Sequence, residues 1–187
     1  MDRRQRKTRA AIFNAFKTLL NRKAYYKITV QEIIDAADVG RSTFYDHFET
    51  KDKLLESLCR ELFRHIEQSL LDRGHSHCRF TSDGAETSAF CHILYHLQED
   101  ERYILRLLAR ERNETFIECF KQNMNGLLRD EKFFNAKWRS LGVPEDFLID
   151  HISSSFINMI QWWIRNKMQP EPPTMDFYFR SMMSAVL

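Results

Sequence analysis

No stretch of the 187 residues stays apolar for the roughly 18 positions that a membrane-crossing helix needs, so no transmembrane helix is expected. The basic start MDRRQRKTR is followed by Asn14, Lys17, Asn21 and Arg22, which interrupt what a secretory signal would need as an uncharged apolar core, and a cytoplasmic protein is expected. Cysteine is scarce. Cys59, Cys78, Cys91 and Cys119 show no CxxC spacing, which argues for reduced, buried thiols over a disulfide framework or a zinc site. His75, His77 and Cys78, with Cys91, His92 and His96 downstream, place two imidazoles four residues apart, yet their spacings match no closed site; no metal and no cofactor is expected. Also absent are a Gly-rich phosphate loop, a G-x-S-x-G elbow and an HExxH helix. Ser153, Ser154 and Ser155 lie inside an apolar segment with no evident base, so the chain does not read as an enzyme.

What is present is enough apolar surface for a core, 43% of residues, and an uneven charge. The net value of +2 conceals the division: residues 1–53 hold twelve Lys or Arg against seven Asp or Glu, and residues 54–187 hold sixteen against nineteen. A basic head on a slightly acidic body fits a phosphate-binding end.

The stretch from Thr29 to Lys51, TVQEIIDAADVGRSTFYDHFETK, carries the most specific signal. Thr29 followed three residues later by Glu32 is a capping box, so a helix is predicted to begin there and to run about two turns over Ile33, Ile34 and Ala37. Asp38-Val39-Gly40 breaks the period. A second short helix, Arg41 to Phe48, turns Phe44 and Phe48 inward and leaves Arg41, Ser42, Tyr45 and Asp46 mostly outward. A guanidinium, hydroxyls and a phenol on one solvated face supply the donors that a helix in a major groove requires.

Thr29, Val30, Ile33, Ala37, Val39, Arg41, Ser42, Thr43, Phe44, Tyr45, His47, Phe48 and Lys51 together closely resemble the DNA-binding domain of the TetR family of transcriptional regulators. The resemblance implies that Tyr45, His47 and Lys51 contact phosphates, that Arg41, Ser42 and Thr43 read bases or backbone, and that Thr29 and Gln31 meet the strand from the preceding helix. Arg41 is the first candidate for a bidentate contact to guanine. Two positions depart from the family pattern: Asp38 stands where Gly is usual and Gly40 where Ser often caps the recognition helix. Both substitutes tolerate the required geometry. Asp46 is repelled by DNA unless it accepts from a cytosine amino group.

Around this stretch the pattern is helical throughout. Ala10, Ile12, Phe13, Phe16, Leu19 and Leu20 recur at three and four, predicting an amphipathic helix over about 2–21 whose arginine-rich first turns suit a polyanion. After Thr50, a candidate N-cap, Leu54, Leu55, Leu58, Leu62, Phe63, Ile66 and Leu70 describe a helix of about six turns. In the family the equivalent fourth helix connects the head to the body. The polar, Gly-bounded stretch from Gly74 to Gly84 reads as a loop. Helical segments follow at Glu86 to Gln98, Glu101 to about Arg112, and Glu114 to about Trp138 with a break expected near Gly126.

In the family such a bundle encloses an inducer pocket, and Phe90, Tyr95, Tyr103, Phe116 and Phe120 are the candidate ligand contacts; aromatic stripes at this spacing are more often plain core. Pro144 opens the next helix, apolar on all sides, and a last one runs from the prolines at 172 and 173 to the end. A helix apolar all round needs cover all round, so these two are expected to form half of a four-helix interface between two copies through Phe156, Met159, Trp163, Phe179 and Met183. The run FINMIQWWIRNKMQ also resembles, more loosely, a C-terminal domain type common among Firmicutes members of the family.

The expected protein is therefore all-α. Residues 1–50 form a three-helix DNA-binding head, with the connecting helix reaching to about 66, and residues 51–187 form a helical ligand-binding and dimerisation body. The expected partners are double-stranded DNA, a second copy of the chain and a small-molecule inducer, and the expected activity is repression at a palindromic operator. The alternative is a helical interaction module or coactivator that keeps the head and works by protein contact.

Overall fold

A computed structural model describes residues 2–71, 88–99, 102–109, 113–130 and 142–186, and the described residues are helical with no strand. The expected loop from Gly74 to Gly84, its His75, His77 and Cys78, and residues 131–141 lie outside them. The first helix, α1 (Arg3–Arg22), opens on a box missed in the sequence: the Asp2 carboxylate accepts from the Arg3 N–H, and the Asp2 N–H donates to Gln5 Oε1 at 3.3 Å. That carboxylate offsets the unfavourable cations of the first turns at the positive end of the helix dipole. Ile12, Phe13, Phe16 and Leu20 form the buried side of α1.

A single 3-10 turn (Tyr25–Lys27) leads to α2 (Val30–Ala37), where the box appears as expected: the Glu32 N–H donates to Thr29 Oγ1 at 3.2 Å and the Thr29 N–H to Glu32 Oε2 at 2.9 Å. Asp38 ends the helix at φ 51°, in the left-handed region that Asp enters at modest cost. Gly40 precedes α3 (Arg41–His47) without a side-chain cap. Helix α4 (Lys51–Leu71) starts on Thr50, whose hydroxyl accepts from the Lys53 N–H at 3.0 Å. At 21 residues it is about 31 Å long, enough to reach from the head far into the body.

The body comprises α5 (Ala89–Glu99), α6 (Arg102–Leu108), α7 (Glu114–Arg129), α8 (Glu145–Arg165) and α9 (Pro172–Val186). Helix α7 runs unbroken through Gly126, contrary to the break expected there, because that residue lies on the solvent side and obstructs nothing. One apolar cluster extends from Ile12 in α1 to Met183 in α9, so head and body share a core. Between them, Lys17 lies 5.3 Å from the Tyr103 ring centroid and an Arg106 N–H donates to the Asn21 carbonyl.

Three aromatic rings show how the body is filled. Phe90 of α5 stands 4.9 Å from Phe156 of α8 and 4.7 Å from Phe179 of α9. Phe156, Trp163 and Phe179 are therefore completely buried within one chain, and Met159 and Met183 nearly so. This corrects the expectation that these five meet a second copy, since a side chain already covered by its own molecule has no surface left to offer. Trp163 also donates its indole N–H to the Pro170 carbonyl at 2.6 Å. The apolar side left exposed carries other residues: Phe147 and Trp162 on α8, and Phe177, Tyr178 and Met182 on α9.

The residues expected around a ligand are likewise core in this structure. Phe90, Tyr103, Phe116 and Phe120 are buried and Tyr95 is half-buried, with Phe120 packed edge-on against Phe63 of α4 at 4.9 Å. His92 and His96 are buried with Nε2 atoms 3.0 Å apart, and no group of three or more side chains suited to a metal occurs among the described residues. No helix among the described residues is long and apolar enough to cross a membrane.

Candidate nucleic-acid interface

The two short helices form their turn because local rules agree: a capped start for α2, a left-handed stop at Asp38, and Phe44 and Phe48 buried against α1. Phe48 meets Phe13 at 5.5 Å and Phe44 at 6.1 Å, so the inner side of α3 is held by ring contacts. The outer side is left free, with Arg41, Ser42, Tyr45 and Asp46 all exposed. The Arg41 guanidinium lies 5.6 Å from the Tyr45 ring centroid, one turn along, which limits where that long side chain can point.

Thr43 and His47 are half-buried and face α1 across a groove of about 450 Å³ lined by Arg4, Gln5, Thr8, Arg9, Thr43, Asp46 and His47. Arg9 is the pivot of this corner. Its guanidinium stacks 4.8 Å from the Phe13 ring and 4.7 Å from the Phe48 ring, and it also lines a second groove with Arg6, Arg60 and Arg64. Sequence reading pointed to the basic start of α1 only in general terms; which arginines stand beside the recognition helix depends on the α1 crossing. Arg4 and Arg9 line the same groove as Asp46, so that wall carries two cations beside the carboxylate.

The remaining expected contacts are held by the protein itself. Thr29 uses its hydroxyl for the cap, and Gln31 is exposed but donates from Nε2 to Asp35 Oδ1 at 2.8 Å. Lys51 departs furthest from expectation. Its ammonium points inward, donating to the Ile28 carbonyl at 2.7 Å and the Tyr25 carbonyl at 3.1 Å, and sits 4.3 Å from the Tyr25 ring centroid. Burial holds its pKa below the ordinary lysine value. Lys51 thus ties the start of α4 to the loop ahead of α2, leaving at most one of its three N–H groups for a phosphate. Tyr25 is fixed from its other end by a hydrogen bond to Asp52, and burial, followed by that bond, raises its pKa. Glu32, hydrogen-bonded by Lys23 and by the Thr29 backbone, has its pKa lowered to about 2.

Chemically this surface can offer a flexible guanidinium, hydroxyls and a phenol to base edges and phosphates, flanked by an arginine pair stacked or grooved beside them. Comparison with known proteins agrees with that character. Residues 9–58 match the family described as bacterial regulatory proteins of the tetR family, and residues 86–185 match a family described as a transcriptional regulator C-terminal region. The chain is 37% identical over 71 residues to the uncharacterized HTH-type transcriptional regulator YxbF of Bacillus subtilis, a stretch covering 35% of this chain and 19% of YxbF. It is 40% identical over 48 residues to the HTH-type dhaKLM operon transcriptional activator DhaS of Lactococcus lactis, covering 26% of each. The alignment thus spans well under half of either curated relative. Over nearly the full length, the structure superposes on a TetR transcriptional regulator of Streptococcus agalactiae with a TM-score of 0.69 at 33% identity, covering 97% of this chain and 96% of that one. The capped helix pair, the exposed face of α3 and the helical body are thus the parts of one known design: the chain belongs to the TetR family of transcriptional regulators.

Proposed function

We propose that two copies of this protein bind a palindromic operator through α3 and repress transcription by covering it. The observation that carries the reading is the outward set of Arg41, Ser42 and Tyr45 on a helix whose inner side is fixed by Phe44 and Phe48. Arg41 reads a base, whereas Tyr45, His47, Arg4 and Arg9 hold phosphates; Thr43 and Gln31 border the contact, and Thr29 and Lys51 act chiefly by shaping the loop that presents it. Residues 1–50 serve as the head and residues 51–187 as the regulatory body, in the cytoplasm beside the chromosome.

The exposed apolar side of α8 and α9 supports the pairing of copies. Phe147, Trp162, Phe177, Tyr178 and Met182 are large side chains that a second copy would shield from water. A two-fold pair sets its recognition helices against successive major grooves, about 34–36 Å apart. A small-molecule inducer acts on this pair by favouring one head separation over another. Because Phe90 packs on Phe156 and Phe179, and Phe120 on Phe63 and Phe116, such a ligand enters the body by spreading these rings, with Tyr95 and Tyr103 as further candidate contacts.

The test is fluorescence anisotropy on the DNA upstream of the protein's own gene, across a salt series, with wild type and Arg41→Ala. Salt-dependent binding in which Arg41→Ala loses preference at one position of each half-site supports the reading. A protein that ignores DNA at every salt concentration is instead the coactivator alternative. For the sign of regulation, removing the gene should raise transcription from the bound promoter; a fall makes it an activator.

A further inference from the structure

Two thiols meet where the connecting helix crosses the body. Cys59 of α4 is 0% exposed and Cys119 of α7 is 9% exposed, and both sulfurs approach one amide nitrogen, that of Asn123. The Asn123 amide, one turn beyond Cys119, donates to the Cys119 carbonyl at 2.7 Å, and the same nitrogen lies 3.5 Å from Cys119 Sγ and 3.9 Å from Cys59 Sγ. Cys119 Sγ is also 4.0 Å from the Glu56 carbonyl. Both sulfurs thus share the Asn123 amide, in contacts that two packing residues such as Val or Ala could not make.

We propose that Cys59 and Cys119 form an oxidative modification site, a dithiol that a hydroperoxide converts to an intrachain disulfide clamping α4 to α7. These contacts assign the two sulfurs different parts. Contact with Cys59, and an Asn123 amide that lies nearer Cys119 Sγ than Cys59 Sγ, favour the thiolate at Cys119, whereas contact with Cys119 and burial hold Cys59 in the thiol form. Cys119, which keeps the little exposure the pair has, attacks the hydroperoxide; the O–O bond breaks, an alcohol or water leaves, and Cys119 becomes a sulfenic acid. The Cys59 sulfur then attacks the Cys119 sulfur, the S–O bond breaks, and the departing hydroxide takes the Cys59 proton as water. In sum two thiols are oxidised and one hydroperoxide is reduced.

The consequence reaches the DNA-binding surface through α4, whose first turn follows α3 directly. A disulfide holds its Cα atoms about 4.4–6.8 Å apart and fixes its dihedral, so the α4 and α7 backbones lose the freedom to slide past each other at that level. Cys91 supplies an internal control. It is buried on α5 near Asp176, and its thiol is pushed up to about 12 by burial first and by that carboxylate second.

The experiment treats the reduced, full-length protein with hydrogen peroxide under native conditions and reads intact mass, a non-reducing peptide map and operator anisotropy. The expected result is loss of two hydrogen masses with a peptide joining Cys59 to Cys119, preserved in Cys91→Ala and lost in both Cys59→Ala and Cys119→Ala. Operator affinity should shift by at least about fivefold on oxidation and return on reduction, in wild type and Cys91→Ala but in neither Cys59→Ala nor Cys119→Ala. Four free thiols after treatment, or a bridge made by Cys78 or Cys91 instead, overturns the site. A Cys59–Cys119 bridge that leaves affinity unchanged overturns its role as a clamp. The mass readout needs no DNA, so failure of operator binding leaves the dithiol standing on its own result.

Discussion

Trp162 and Trp163 are neighbours in sequence, yet the structure assigns them opposite consequences. Trp163 is 0% exposed and anchors the turn after α8 through its indole N–H, whereas Trp162 keeps 44% of its surface in water. Replacing Trp163 by Ala removes a fully buried ring and should cost about 3–5 kcal/mol, a large share of a typical folding free energy. Replacing Trp162 by Asp should leave the fold of one chain nearly unchanged. Its effect appears in association: with roughly 240 Å² for a Trp side chain, the exposed fraction is about 105 Å², worth about 2.6 kcal/mol at 25 cal/mol per Å². Two-fold symmetry counts that loss twice, so a dimer built on this side should weaken by up to ~5 kcal/mol, nearly four orders of magnitude in dissociation constant. Sedimentation velocity across a dilution series and urea unfolding of each variant separate the two effects. A Trp162→Asp protein that sediments as wild type at every concentration, or a Trp163→Ala protein of undiminished stability, refutes the assignment of sides.

Three further outcomes follow from single side chains. Lys51→Ala should lower stability by about 1–3 kcal/mol, because the Tyr25 and Ile28 carbonyls lose a charged donor; thermal melts check this, and a change in DNA affinity alone would return Lys51 to the phosphates. Glu32, with a folded pKa of about 2 against an ordinary 4.5, contributes stability that is complete above about pH 4.5 and drains as pH falls toward 2. Glu32→Gln can keep the capping bond but cannot titrate, so its stability should decline less steeply across that window, and an identical acid profile would discount the Lys23 and Thr29 bonds. Gly126→Ala should stabilise the protein by about 0.5–1 kcal/mol in chemical denaturation, since a Cβ there meets nothing within 4 Å inside a continuous helix.

The helix-turn-helix pair was legible in the sequence because its determinants are local: Thr29 with Glu32, the turn residues, and Phe44 and Phe48 four apart. Less local features escaped. The inward path of Lys51 depends on backbone carbonyls at Tyr25 and Ile28, which no side-chain pattern advertises. The apolar girth of α8 announced burial on every side but could not say which row its own chain covers. That choice rests on Phe90 and Phe179, which lie far from Phe156 in sequence and meet it only after folding. The box at Asp2 and Gln5 is local too, but the cations that follow it oppose the helix dipole and mask the start signal in the pattern.

The inward grip of Lys51 also limits how a signal can travel. A lysine that opens one rod while clasping the elbow before α2 makes recognition unit and rod a single lever. In the proposed repressor a message from the body would tilt that lever whole, so protein released from its operator should retain an intact reading surface and differ in the stance of its two arms.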